Sequence, residues 1–264
     1  MAYNLKGIAT VTRQKYLTAS EKGPWANSYD RWRNDNLTNR YQGVQFGYTS
    51  AGRYTSWNDI WSYPGYKERD ILPGDYKYED WNGDGEINGQ DEHPFAFDQT
   101  PWLQFSLNAG LQWKNLDFNM LLQGSALGSM EYKEPLHEIW GKNGGGALKQ
   151  FLDRWHPVDP KADPYDPSTV WTSGHYAYTG RWAKNNSAFN RVSTAYLRLK
   201  SIELGYTFPK LKQIPNASLR IYANAYNLLT FTGVKFVDPE HPDDDLGRMY
   251  PLNKTYTLGV SLSF

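Results

Sequence analysis

The stretch best equipped for chemistry runs Asp80-Trp81-Asn82-Gly83-Asp84-Gly85-Glu86-Ile87-Asn88-Gly89-Gln90-Asp91. Its first six positions match the calcium-loop pattern, with carboxylate or amide oxygens at positions 1, 3 and 5 and a glycine at 6. Ca2+ is a hard cation that takes about six to eight oxygens, so the ligands must converge after a sharp turn. Asp80, Asn82 and Asp84 supply oxygens, and Gly85 permits the turn. Glu86 would add its backbone carbonyl, Asn88 a contact through water, and Ile87 an apolar anchor. Asp91 stands where an EF-hand has glutamate, and one methylene less makes bidentate capture harder and the site weaker. The sequence places no helix pair around the loop. A metal-free turn rich in Asp and Asn accounts for the same residues.

Other chemistry-bearing residues are dispersed. Trp140, Trp155, Trp171 and Trp182 fall in one long connecting segment, where their rings could stack on sugar faces, anchor peptides, or simply pack that segment on itself. The histidines, His93, His137, His156, His175 and His241, form neither an H-x-x-x-H nor an H-E-x-x-H arrangement. Glu240 with Asp243, Asp244 and Asp245 could hold a second cation, but acidic runs are commonly just solvated. The sequence contains no nucleophile elbow, phosphate-binding loop or dinucleotide fingerprint. No catalytic residue is assigned, although any two acids could meet in space as a glycosidase pair. The expectation is a protein that is not an enzyme.

The elements that must position these residues read as strands. From Leu103 to Trp113 the odd positions are apolar and the even ones are Gln104, Ser106, Asn108, Gly110 and Gln112, a period of two that separates the faces of a strand. After a tight turn at Lys114-Asn115, Leu116, Phe118, Met120 and Leu122 alternate with Asp117, Asn119 and Gln123, so the two runs predict a hairpin. Ile202, Leu204, Tyr206 and Phe208 share one parity, while Leu197 and Leu199 have the other, which predicts a β-bulge near Lys200-Ser201. Leu219 to Tyr226 and Tyr256 to Phe264 alternate likewise, and a weaker candidate lies near Asn4 to Thr12.

Such alternation suits a soluble sandwich as well as a membrane barrel; connection lengths separate them. Short links at Lys114-Asn115 and Lys210 to Asn216 alternate with long ones at 124–193 and 231–253. Outer-membrane barrels have this asymmetry, with short periplasmic turns and long extracellular loops. A sandwich seldom carries such long connections. With the last strand ending in the periplasm, the long loops and the segment before Trp102 all fall outside the cell. Residues 1–100 then hold a first strand and an extracellular loop with the calcium-type loop 80–91, and residues 101–264 hold the barrel strands. One piece of the first long loop, Ala147 to Trp155, is expected to form a short helix.

Composition agrees. Aromatics make up 16% of the 264 residues, with 20 Tyr and 11 Trp, yet mean hydropathy is -0.72, which favours interfacial or sugar-binding β-structure over a helical bundle. Lys+Arg and Asp+Glu both number 28, so no global field would attract nucleic acid. Without cysteine there is no disulfide, Cys-ligated zinc or thiol nucleophile. No apolar run is long enough for a membrane-spanning helix, which leaves β-barrels open. The start, Met1-Ala2-Tyr3-Asn4-Leu5-Lys6, does not read as a signal peptide, so the sequence is expected to be a piece of a longer exported protein.

Several stretches in order carry a family resemblance. They are Gly74-Asp75-Tyr76-Lys77-Tyr78 followed by the Asp80 to Asp91 loop, Gln123-Gly124, Arg154-Trp155-His156-Pro157, Tyr196-Leu197-Arg198-Leu199-Lys200 and Leu204-Gly205-Tyr206-Thr207-Phe208-Pro209. Asn227-Leu228-Leu229-Thr230-Phe231-Thr232, Asp238-Pro239-Glu240, Tyr250-Pro251 and the terminal aromatic complete the series. From Gly43 to Phe264 the chain resembles the C-terminal end of the SusC/RagA type of TonB-dependent outer-membrane transporter. The resemblance implies an all-β fold, part of a plugged barrel of about 22 antiparallel strands. It further implies uptake of oligosaccharides or peptides, a SusD-like surface lipoprotein as lid, and energy from the TonB complex through N-terminal parts missing here. Outer-membrane lipid would surround it. The stripe Tyr256, Leu258, Val260, Leu262 and Phe264 is similar to the terminal signal by which outer-membrane barrels are assembled. The competing reading is a secreted calcium-dependent carbohydrate-binding β-domain.

Overall fold

The computed structural model describes residues 1–18, 24, 27–33, 38–64, 70–133, 136–137, 139, 147–178, 184, 186–209, 217–240 and 249–264. Trp140, Trp182, His241, Asp243, Asp244, Asp245 and the link from Lys210 to Asn216 lie outside those residues.

Six long strands form one sheet: β1 (Ala2–Val11), β2 (Leu103–Trp113), β3 (Leu116–Ala126), β4 (Tyr196–Phe208), β5 (Ser218–Thr232) and β6 (Thr255–Ser263). They lie side by side in chain order, and every pairing is antiparallel. The sheet is open, with β1 and β6 at its edges. A bilayer needs about 9–11 residues of tilted strand. The strands reach or exceed that length, β2 and β3 having 11 residues each and β6 having 9.

Register fixes the faces. Leu103 opposes Ala126, Phe105 opposes Gly124 and Leu107 opposes Leu122 on one side, while Gln104 opposes Ser125 and Ser106 opposes Gln123 on the other. The apolar parity continues through Met120 to Ile202 and Ala225 and on to Tyr256. This face carries no covering layer among the described residues, and Leu258 is 76% exposed. In water so large an apolar surface would drive association; in a bilayer it is the solvated side. Phe105, Leu107, Phe118, Met120, Leu204 and Leu258 all lie on this lipid-facing side, as alternation requires.

The bulge lies where parity breaks. Between Leu199 and Ser201 the register of β4 shifts against both neighbours, and Asn227 on β5 adopts φ 53°. The extra residue lets Leu199 and Ile202 face the same side although their parities differ.

The two longest connections, residues 12–102 and 127–195, join into a layer above one end of the sheet. Short antiparallel pairs build it: Val44–Gly47 with His93–Phe97, Ser50–Arg53 with Tyr76–Tyr78, Ser129–Glu131 with Arg191–Ser193, and His156–Pro157 with Trp171–Thr172. Its small core is Tyr48, Tyr78 and Ile87, with Tyr76 and Phe189 against it. The helix expected over Ala147 to Trp155 is a single 3-10 turn, Lys149–Leu152. Leu148 gives that turn no side-chain cap. Beyond it the backbone is drawn into bonding with Tyr176, whose N–H donates to Asp153 O and whose carbonyl accepts from Trp155 N.

Candidate functional site

The Asp80 to Asp91 loop is wound by its own carboxylates. Asp80 Oδ1 accepts from Gly83 N at 2.8 Å and Asp84 N at 3.2 Å, and its Oδ2 accepts from Gly85 N at 2.9 Å. Asn82 Oδ1 accepts from Asp84 N, and Asp84 Oδ1 from Glu86 N. The turns fall on Gly83 and Gly85, at φ 73° and 84°, where a side chain would be strained. Asp91 is fully buried and staples the two ends together. Its Oδ1 accepts from Trp81 N at 2.9 Å and its Oδ2 from Asn88 N at 2.7 Å, while Asn88 caps the turn before it. Burial raises the Asp91 carboxyl above its usual range. Ile87 is the loop's apolar anchor, buried against Tyr48 and Tyr78. His93 stacks on Trp81 with ring centroids 3.6 Å apart and so serves packing.

Calcium would be met here by Asp80, Asn82 and Asp84 together with the Glu86 carbonyl, an oxygen-rich donor set on a backbone already turned as the template requires. Among the described residues no three His, Cys, Asp or Glu side chains already converge as ligands, and the third side-chain oxygen comes from Asn82.

On the polar side of the sheet the upper end holds a cavity of about 560 Å³, lined by Gln104, Gln123, Ser125, Thr194, Tyr196 and Glu240 among others. Its roof is fixed by Arg198, which is 1% exposed. The guanidinium donates to Asp238 Oδ2 and Glu240 Oε2, each at 2.6 Å, and to Thr230 Oγ1 at 3.0 Å. Two carboxylates and a hydroxyl offset the desolvation of a buried cation and fasten the connection after β5 to the wall. Nearer the other end Arg220 reaches across β4 to Asp117 on β3, with Nε to Oδ1 at 3.1 Å, and meets Glu203 at 2.7 Å. Gly205 makes the crossing possible, because a Cβ there would stand 2.6 Å from Arg220 Nη2 and from both Asp117 oxygens.

Sequence reasoning missed both arginine clusters. Arg198, Asp238 and Glu240 belong to stretches that carried the family resemblance, but nothing in their spacing brings positions 42 residues apart together. Trp155 and Trp171 do share one cavity, and Trp57 from the other long connection joins them. Tyr256, Leu258, Val260 and Leu262 line the outward face of β6, and Phe264, just beyond it, is 96% exposed.

No protein-family profile matches the chain. In sequence it is 28% identical over 211 residues to TonB-dependent receptor P3 of Formosa agariphila, covering 74% of this chain and 19% of that receptor. It is 27% identical over 239 residues to TonB-dependent receptor P26 of the same organism, covering 85% of this chain and 22% of that one. The chain therefore spans about a fifth of the length of these curated relatives. In fold it is similar to solved structures of the RagAB peptide importer. The open-open state gives a TM-score of 0.54 at 20% identity and the closed-closed state 0.56 at 19%, each covering 99% of this chain and 27% of the other. By name these relatives are receptors, and the structural neighbour is a peptide importer. An open antiparallel sheet with one apolar, uncovered face and one polar face, in a chain similar in sequence to TonB-dependent receptors and in fold to the RagAB importer, has the fold of a segment of an outer-membrane β-barrel.

Proposed function

We propose that this chain forms part of the lumenal wall and outer face of a transporter that imports oligosaccharides or peptides across the outer membrane. Energy relayed by TonB drives the import, and a SusD-like surface lipoprotein serves as lid. One observation carries the reading: a single sheet is apolar and uncovered outside but amide- and hydroxyl-lined inside, with a cavity of about 560 Å³ under the long connections. A wall of this kind separates lipid from a polar path. The names of the relatives support receptor-type transport, and the peptide importer among the structural neighbours supports a ligand larger than an ion. Ca2+ at the Asp80, Asn82, Asp84, Glu86, Asn88 and Asp91 loop belongs to the same reading as a structural clamp on the outer face. A secreted calcium-dependent carbohydrate-binding domain is not favoured, because in water the apolar face of β2 to β6 would be left uncovered.

The test is uptake by cells of the native host. Import of a labelled oligosaccharide or peptide pool is expected to fall when the full-length receptor is deleted and to fall equally when TonB is removed. Uptake indifferent to both deletions, for every labelled pool, would overturn the proposal.

A further inference from the structure

Charge is almost absent from the cavity on the polar side of the sheet, and it is distributed unevenly where it occurs. Among the described residues the lining consists of amides, hydroxyls and apolar groups, with Glu240 as its charged side chain. Glu240 comes from the connection after β5, and its side chain is 42% exposed. The cation that fastens it is sealed: the Arg198 side chain is 1% exposed, with Asp238 and Glu240 each 2.6 Å from its guanidinium. Asp238 is the less exposed of the two carboxylates and does not line the cavity. Two carboxylates thus share one guanidinium, so the cluster keeps one net negative charge, and the member that meets the cavity is negative. The same excess recurs lower on the wall, where Arg220 is shared by Asp117 and Glu203. Lys6 lies on this face of β1, opposite Asn108, but the residues that β1 gives to the lining are Ile8 and Thr10.

A cleft lined by one sign of charge against low-dielectric walls focuses its field and concentrates ions of the opposite sign. An anion entering this cavity would approach Glu240 and find no cation in the lining to offset the repulsion, and like charges brought together are a common means of rejecting a wrong partner. A cation gains from Glu240, and its remaining N–H groups can donate to the amide oxygens of Gln104 and Gln123 and to the hydroxyl of Ser125, which line the same space. We infer that this cavity is a subsite for one positively charged group, an ammonium or a guanidinium, on the imported molecule. The volume of about 560 Å³ admits such a group together with the chain on either side of it, and it lies within the roughly 300–1,000 Å³ usual for ligand sites. Arg198 is a positioning residue in this arrangement, because it holds Glu240 in the roof without itself meeting the ligand.

The inference deepens the transport reading and rests on it, so its test separates the two. The full-length receptor, purified in detergent, is incubated with two probe pools: random hexapeptides with blocked termini, and N-acetylglucosamine oligomers with and without partial de-acetylation. Mass spectrometry compares what is retained with what was supplied, and the pool that responds identifies whether the charged group belongs to a peptide or to an amino sugar. Members with one positive charge are expected to be enriched about fivefold over neutral ones, the scale of one partly exposed charge pair, and negatively charged members depleted. The preference should shrink as salt is raised from about 0.1 M to 1 M, where the screening length falls from about 10 Å to 3 Å. Glu240→Gln can still accept from Arg198 but carries no charge, and should abolish the preference. Gln104→Glu adds a second carboxylate and should strengthen it, which keeps the test valid if heat-modifiability shows that Glu240→Gln does not fold. Retention without charge preference, retention of neither pool, or a preference that neither substitution alters would overturn the inference. TonB-dependent uptake persisting after such a result leaves the transport reading standing, whereas charge-selective retention by a receptor whose deletion leaves uptake unchanged does the reverse.

Discussion

Asp75 shows how a single carboxyl in the outer layer can report on folding. Its Oδ2 accepts from Leu72 N at 2.9 Å, and its backbone joins the turn that also holds Gly74 against Tyr54. Burial pushes its pKa up to about 6, against partial relief from the Leu72 N–H and from Arg53. A folded-state value above the unfolded one means that folding takes up a proton. The stability this group contributes is thus complete below the ordinary carboxylate pKa, near 4, and is lost as pH rises through about 6. Protection of residues 72–78 from hydrogen exchange, taken relative to the intrinsic rate at each pH, is expected to be greater at pH 5 than at pH 7, with Asp75→Asn flattening the difference; a pH dependence of protection unchanged in that variant would remove Asp75 as its cause. The Asp80 loop makes a second residue-scale prediction. Calcium should bind with Kd in the range of about 0.1–1 mM, typical of extracellular modules and in keeping with Asp91 in place of a longer glutamate. Calorimetry on the intact receptor should show heat that Asp84→Ala abolishes, and identical heats in the two proteins would count against a metal there. Asp84 is the more informative choice because Asp80 and Asp91 each accept from three backbone N–H groups that wind the loop, whereas Asp84 accepts from that of Glu86.

At the scale of the element, alternation was readable because each long strand meets two different media. Leu107 and Gln104 sit three residues apart on β2 and face opposite ways. Placing arginine at Leu107 puts an uncompensated charge in hydrocarbon and is expected to cost about 2–4 kcal/mol if near the midplane. Gln104→Arg, on the lumenal side, should be tolerated. Folding titrations in lipid vesicles would distinguish the two, and equal damage would argue for a sheet covered on both faces. The outward stripe of β6 allows a related test. Tyr256, Leu258, Val260, Leu262 and Phe264 are proposed to be read during barrel assembly, so Phe264→Ser in the full-length receptor should reduce heat-modifiable protein in the outer membrane without changing its synthesis; undiminished assembly would remove that role. The bulge was readable too, because Leu199 and Ile202 have opposite parities and yet both are apolar. What the sequence hid were contacts between distant loops. No local pattern announces that Tyr176 will capture the backbone at Asp153 and Trp155 and cut a helix to one turn, or that Gly205 is glycine so that Arg220 can cross it to Asp117.

The whole molecule consists of two structures held by different physics. The sheet is sustained by strand ladders and lipid contact, whereas the outer layer is held by crossings between connections that begin and end on different strands. The tightest crossing is at Gly47, where an added Cβ would stand only 1.7 Å from the carbonyl oxygen of Asn186. Beside it Tyr48 N donates to Asn186 O at 3.3 Å and Ala188 N to Tyr48 O at 2.9 Å, and Tyr48 belongs to the layer's small core with Tyr78 and Ile87. Because the obstacle is backbone rather than the end of a flexible side chain, Gly47→Ala must part the two connections by more than an ångström, with loss of both hydrogen bonds and of part of that core. None of the six long strands takes part in the clash. The expected outcome is therefore divided: the receptor carrying Gly47→Ala reaches the outer membrane as a heat-modifiable barrel in normal amount, but external protease applied to intact cells cleaves within residues 38–64 and 186–193, where the wild type resists. A barrel lost together with the outer layer would mean that the two fold as one unit, and protease resistance equal to wild type would mean that the crossing at Gly47 does not hold the layer together.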